Sequence, residues 1–281
     1  MKGGKKMLMS KHPAQSLISP NRESNRIYLM DLSPDDFPQI IGHMKLLAEK
    51  EGYTKIFAKV PARFAPSFVR EGYIAEAYIP GFYNGTEDAF FLMLYTDQQR
   101  QQPEQEALAA FQELLNKPVN ANIQPLNANY ALKKLGPQDA PVMTDVFRRV
   151  FESYPFPIFE EEFLIKSMQE DGTVYFGAWH NDSLVAISSA ECCSKNKNAE
   201  MTDFAVLPEH RGQRLAVHLL GYMEQTLISE GFKTFYTIAR LHSLSMNKTF
   251  YNLGYKYCGT LHNNTQISGK IESMNVWYKN V

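Results

Sequence analysis

Residues 199–216 read AEMTDFAVLPEHRGQRLA, and residues 217–231 continue as VHLLGYMEQTLISEG. An alternating apolar run stops at a proline, passes through a basic glycine turn and enters an apolar-periodic segment. The pattern predicts a strand, a tight turn and a helix. A helix entered through such a turn presents unpaired backbone N–H groups and the positive end of its dipole, so the turn is a site for an anion. No GxxxxGK[ST] occurs, and no GxGxxG follows a strand, which removes the two commonest nucleotide-binding loops.

Outside this stretch the chain constrains function mainly by exclusion. Its 281 residues carry 29 basic and 30 acidic side chains, a net charge of −1, so electrostatics give no reason to expect a nucleic-acid partner. Three cysteines, with Cys192 and Cys193 adjacent and Cys258 apart, form neither a disulfide framework nor a metal-ligand spacing, and a reducing cytoplasm with no metal cofactor is expected. The opening MKGGKKMLMSKHPAQS lacks an apolar core long enough for a signal peptide or membrane helix, so no membrane partner is expected and residues 1–25 read as a mobile tail. The oligomeric state stays open, a homodimer included.

Two units are expected, 26–125 and 126–281. In the first, RIYLMDL reads as a strand and SPDDFPQIIGHMKLLAEKEG as one helix, with Ser33 as N-cap, Pro34 at its first position and Gly52 beyond its end. The glutamine-rich QQRQQPEQE, residues 98–106, reads as the start of a linker. In the second unit Val142, Val146 and Val150 repeat at helical spacing, and Asn181-Asp182 supplies the turn of a hairpin. The layout GYTKIFAKV, REGYIAEAYIPGFYNG, AFFLMLY runs parallel to GFKTFYTIA, NLGYKYCGTLHNN, SMNVWYK. Either the halves repeat one plan, the first without the RGxxxA loop, or two strand–helix–strand units merely look alike.

The hexapeptide RGQRLA resembles the R/Q-x-x-G-x-G/A pyrophosphate loop of the GNAT acetyltransferases, although Arg214 stands where that pattern has its first glycine. With SYPFPI, MTDFAVLPEHRG, YTIAR, MNKTFYNLGY and GTLHNNTQISGKIESMNVWYK, the resemblance narrows to the beta-lysine N-acetyltransferases and extends over nearly the whole chain. It implies a mixed α/β GNAT fold in the C-terminal half; where the halves repeat one plan, residues 26–125 are expected to be a degenerate GNAT-like half-domain that packs against it without binding cofactor. It also implies an acetyl-CoA-dependent N-acetyltransferase that acts on the terminal amine of beta-lysine to make a compatible solute. Transfer to another small amine or a protein amine, and a non-catalytic acyl-CoA-binding module, are the alternatives.

The resemblance also places residues. Phe204, Ala205, Val206 and the loop Arg211, Gly212, Gln213, Arg214, Leu215 and Ala216 would hold coenzyme A, with Ser243 and Asn247 toward its arm. An amine of reference pKa about 10.4 must lose a proton before it can attack a thioester, so a base or a desolvating site must remove it, and a carboxylate-like group is expected near the acyl group. Glu200, eleven positions before Arg211, and Asp203 are the two candidates for the base. Three apart on a strand, they face opposite sides unless a bulge intervenes, and GNAT strands splay at this place. Phe250 occupies the position of the family's usual tyrosine acid, leaving the adjacent Tyr251 as a candidate. Tyr154 and Phe156 are candidates for the wall of an aliphatic acceptor, Arg240 for a bidentate carboxylate partner, and Asn264, with Asn263 and Thr265, for the polar end.

Overall fold

In the computed structural model, residues 10–11, 15–120, 122–154, 156–267 and 269–281 are described. Twenty principal elements follow in chain order. The first half holds β1 (Ser10–Lys11), β2 (Leu17–Asn21), β3 (Arg26–Asp31), α1 (Gln39–Glu51), β4 (Lys55–Pro61), α2 (Ala65–Arg70), β5 (Ile74–Tyr83) and β6 (Glu87–Tyr95), and α3 (Gln105–Leu115) bridges to the second. The second holds β7 (Tyr130–Leu135), α4 (Ala140–Val150), α5 (Glu161–Gln169), β8 (Thr173–His180), β9 (Ser183–Cys193), β10 (Asn198–Val206), α6 (Leu215–Ser229), β11 (Thr234–Arg240), α7 (Leu244–Asn252), β12 (Lys256–Ile267) and β13 (Lys270–Asn280). The strands form one mixed sheet in the order β1-β2-β3-β4-β6-β5-β12-β13-β11-β10-β9-β8-β7.

The repeat is present in the topology. β3-β4-β6-β5 has the same order and strand directions as β10-β11-β13-β12: a parallel first pair, then antiparallel pairs. One local device recurs at four helix ends. Gly52, Gly72, Gly231 and Gly254 take φ of 70°, 90°, 86° and 80°. The aromatic after each, Tyr53, Tyr73, Phe232 or Tyr255, returns its N–H to the carbonyl five residues back and buries its ring. This Schellman closure satisfies the last helix carbonyls and pins the next strand to the helix by an apolar contact.

The two blocks join where β5 and β12 pair antiparallel at Ala77 and Gly259. A Cβ on Gly259, whose φ is +149°, would stand 1.8 Å from the Glu76 carbonyl oxygen, so the join requires glycine. Phe57, Ile79, Phe82 and Phe91 from one half pack there with Tyr236, Leu261, Met274 and Val276 from the other, a buried core shared by both.

Four expectations are corrected. Residues 17–21 are not tail but β2, paired with β3 and holding Ile18 in the core. The helix predicted from Ser33 is split: Ser33 caps a short turn over Pro34–Asp36, and α1 begins only at Gln39, because Pro38 has no N–H to continue it. The polar stretch at 98–106 is no loose linker, since Arg100 is buried and α3 seals the second core with Phe111 against Tyr257 and Trp277. On α4 the buried stripe is Met143, Val146 and Phe147, while Val142 is 41% exposed. The hairpin at Asn181-Asp182 forms as expected, both residues at positive φ. No helix among the described residues is long and apolar enough to cross a membrane.

Candidate active site

The site begins at a fault in the sheet. β10 pairs with β11 only from Asn198↔Thr234 to Glu200↔Tyr236, after which the strands part, although β11 stays paired with β13 to Arg240. On its other side β10 shifts register against β9 between Thr202 and Ala205, and Asp203 takes φ +54°. The bulge is the device that lets Glu200 and Asp203, three residues apart, line one cavity. That cavity measures about 540 Å³, with residues 201–204 and 237–240 as its two lips.

The helix entry lies at the far end of β10. Arg214 is the N-cap of α6 in the left-handed region, φ +58°, with no side-chain cap bond. A side chain in that left-handed conformation costs about 1 kcal/mol relative to glycine. Among the described residues no hydrogen bond engages the N–H groups of Gly212 to Ala216. Gly212, at φ +83°, has open space where a side chain would stand. Free donors at a dipole end, and strand edges opened beside them, fit a phosphate-bearing cofactor with an extended arm.

Charge is concentrated inside the cavity. Asp203 accepts from the Tyr154 hydroxyl and, at 2.6 Å, from Ser189; burial raises its pKa, and these bonds oppose the rise. Glu200 is likewise raised by burial, against the pull of Lys59 and a bond from Tyr236. Glu191 sits directly opposite Glu200 on β9. Its side chain is exposed to the cavity, and the hydration it loses there, reinforced by Glu200 and Asp203, pushes its pKa up to about 8. Burial draws the Lys59 ammonium down, but Tyr28 and Glu200 outweigh it and leave its pKa raised.

The N-terminal half does more than pack. Arg26, Tyr28, Met30, Phe57 and Lys59 line the same cavity. Three of its cations also cap successive carbonyls of a β12 segment whose register slips between Leu261 and Thr265. Lys55 donates to His262 at 2.6 Å, Arg100 to Asn263 at 3.0 Å and Arg26 to Asn264 at 2.9 Å. Lys55 is fully buried, and burial lowers its pKa to about 7.

The expected site residues separate accordingly. Tyr154, Phe156, Ser243, Phe250, Asn264 and Arg240 line the cavity; Pro155, between the two aromatics, lies outside the described residues. Phe250 packs its ring on Phe204. Arg240 does not present a free fork: Nε and Nη2 hold Glu272 bidentately at 2.8 and 2.6 Å. Asn247 is saturated, donating to the Arg240 and Ser243 carbonyls and accepting from Asn275 and Trp277, which makes it a strut and not a cofactor contact. Tyr251 turns away from the cavity and donates to the Leu115 and Lys117 carbonyls, so it is not placed to act as an acid there.

Sequence reasoning missed Arg26, Tyr28, Lys59, Glu191 and Tyr236. A signal existed for two. In RIYLMD, Ile27 and Leu29 alternate as the fully buried face and Arg26 stands on the other, while in KIFAKV every residue is buried except Lys59, so each of these two cations interrupts an apolar central strand.

A family model described as the Acetyltransferase (GNAT) family matches residues 141–255. The beta-lysine N(6)-acetyltransferase of Methanococcus maripaludis is 36% identical over 267 residues, 94% of this chain and 96% of that protein. The chain belongs to the GNAT acetyltransferases. The N-acetyltransferase YodP of Bacillus subtilis is 30% identical over 237 residues, covering 83% of this chain and 84% of the relative. The beta-lysine N(6)-acetyltransferase of Methanosarcina mazei is 33% identical over 152 residues, 54% and 56% of the two chains. This acetyltransferase therefore matches a beta-lysine N(6)-acetyltransferase over 94% of its length, a span that reaches into the N-terminal half. It is an N-acetyltransferase of the acetyl-CoA-dependent kind.

Proposed function

We propose that this acetyltransferase moves the acetyl group of acetyl-CoA directly to the terminal amine of beta-lysine, forming N6-acetyl-beta-lysine for use as a compatible solute in the cytoplasm. The observation that carries the reading is the group of carboxylates, Glu191, Glu200 and Asp203, in a cavity at the parting of β10 and β11. The substrate is taken from the two relatives that bear its name, one matched over 94% of the chain and the other over 54%.

Gly212, Gln213, Arg214, Leu215 and Ala216, with Arg211, would hold the pyrophosphate by main-chain N–H groups, and the open edge at Phe204 to Val206 would take the arm. Bound there, acetyl-CoA supplies an activated thioester carbonyl. Glu200 is the base: burial raises its pKa, and its carboxylate meets one hydroxyl, that of Tyr236, where Asp203 accepts from both Tyr154 and Ser189. Asp203 holds the Tyr154 hydroxyl and thereby one wall of the cavity. Tyr154 and Phe156 flank the methylene chain.

Purified protein given acetyl-CoA and beta-lysine should release thiol and yield a product acetylated at N6 by mass spectrometry. Glu200→Gln should lower kcat by about 10²–10⁴-fold. Turnover of another amine in place of beta-lysine would overturn the substrate while leaving acetyl transfer intact. An active Glu200→Gln beside an inactive Asp203→Asn would move the base to Asp203.

A further inference from the structure

Two arginines reach the cavity, and they differ in one respect. Arg240 has its Nε–Nη2 edge filled by Glu272. Arg26 spends only Nη1, on the Asn264 carbonyl at 2.9 Å and the Thr265 hydroxyl at 3.1 Å. Its Nε is buried without a partner, and no hydrogen bond engages Nη2 among the described residues. The vacant edge is therefore the one whose two parallel N–H groups match a carboxylate. The guanidinium lies over the Tyr28 ring at 5.4 Å and near Phe57 at 5.9 Å, which restricts its orientation.

Beside it is a second vacancy of opposite character. Asn264 is 1% exposed, its Nδ2 donates to Thr265 at 3.2 Å, and its Oδ1 is buried with no donor. A buried donor edge and a buried acceptor left unmade, on residues already bonded to each other, are each costly in a folded chain unless a ligand completes them. A carboxylate and an ammonium a few bonds apart would complete both.

We propose that Arg26 and Asn264 form the head-group site of the acceptor: Arg26 takes the carboxylate on its Nε–Nη2 edge, and Asn264 Oδ1 accepts from the neighbouring ammonium. The degenerate half thus decides that the acceptor is an amino acid and not a simple diamine. Its cations hold the β12 segment that carries Asn264, and one of them reads the substrate. The inference rests on the amine-acetyltransferase reading and is separable from the choice of beta-lysine.

The test uses acceptor pairs that differ only by the carboxylate: beta-lysine with 1,4-diaminopentane, and lysine with 1,5-diaminopentane. Wild-type protein should prefer the carboxylated member of the pair it turns over. Arg26→Met and Arg26→Lys should each lower kcat/KM for that member by at least about 30-fold, and much less for the diamine. A merely structural Arg26 would depress both members together, and Arg26→Lys would restore both; either result overturns the proposal. So does wild-type protein that prefers the diamine in each pair. Preference within the lysine pair alone removes beta-lysine as acceptor, and the Arg26 variants are then judged on that pair. Asn264→Ala should narrow the preference for beta-lysine over 6-aminohexanoate, which keeps the carboxylate and lacks the second amine; an unchanged ratio removes Asn264 from the site. Calorimetric affinities for the same pairs with CoA present give the ratios without turnover.

Discussion

The Lys59 ammonium, from the N-terminal half, lies 3.4 Å from the hydroxyl of Tyr236 in the C-terminal half, and Tyr236 is itself within hydrogen-bond reach of Glu200. Lys59 also stands 5.6 Å from the Tyr236 ring centre and 5.9 Å from that of Tyr28. A cation from the half without a cofactor loop thus favours the charged form of the proposed base.

Replacing Lys59 by methionine removes that cation while keeping much of the side-chain volume. Glu200 should then hold its proton to higher pH. The acid limb of the kcat/KM profile should move to higher pH. An unmoved limb would mean that Lys59 does not act on the base.

Glu191 gives a stability prediction with a definite sign. Its pKa rises from the ordinary 4.5 to about 8 in the folded chain. Between those values the folded chain holds a proton that the unfolded chain has released, so stability falls as pH rises through the window. Glu191→Gln removes this loss. The melting temperature of the variant relative to wild type should therefore increase from pH 5 to pH 8.5, and a flat difference would count against the carboxylate cluster as described.

Tyr251 separates catalysis from packing. Its hydroxyl serves the carbonyls of Leu115 and Lys117, at the end of α3 and just beyond it, and not the cavity. Tyr251→Phe should cost about 1 kcal/mol of stability and leave kcat unchanged. A large fall in kcat at an unchanged melting temperature would restore Tyr251 as the acid.

Gly259 tests the join between the halves. An added Cβ would meet the Glu76 carbonyl at 1.8 Å, and that carbonyl belongs to a paired strand that cannot yield alone. Gly259→Ala should destabilise by roughly 1–3 kcal/mol or more. Because the displacement falls at the strand carrying Asn264, affinity for the acceptor should drop more than affinity for CoA. Wild-type stability would show that the halves do not meet at this strand pair.

What the sequence by itself determined was local. The turn into α6, the Asn181-Asp182 hairpin and the four Gly-aromatic helix ends each depend on residues within a few positions of one another, where backbone torsion and capping decide the outcome. The spacing of Glu200 from the loop was legible for the same reason, and so was the need for a bulge before Asp203 could join it. The tertiary structure alone decided which side chains share the cavity. Arg26 meets Asn264 across 238 positions, and Tyr251 is drawn to a carbonyl 136 positions away. Arg240 loses its fork to a neighbour on β13. The first of these outcomes depends on a glycine at β12 that lets two like halves close into one sheet, and no local periodicity encodes which charges then face each other across that seam.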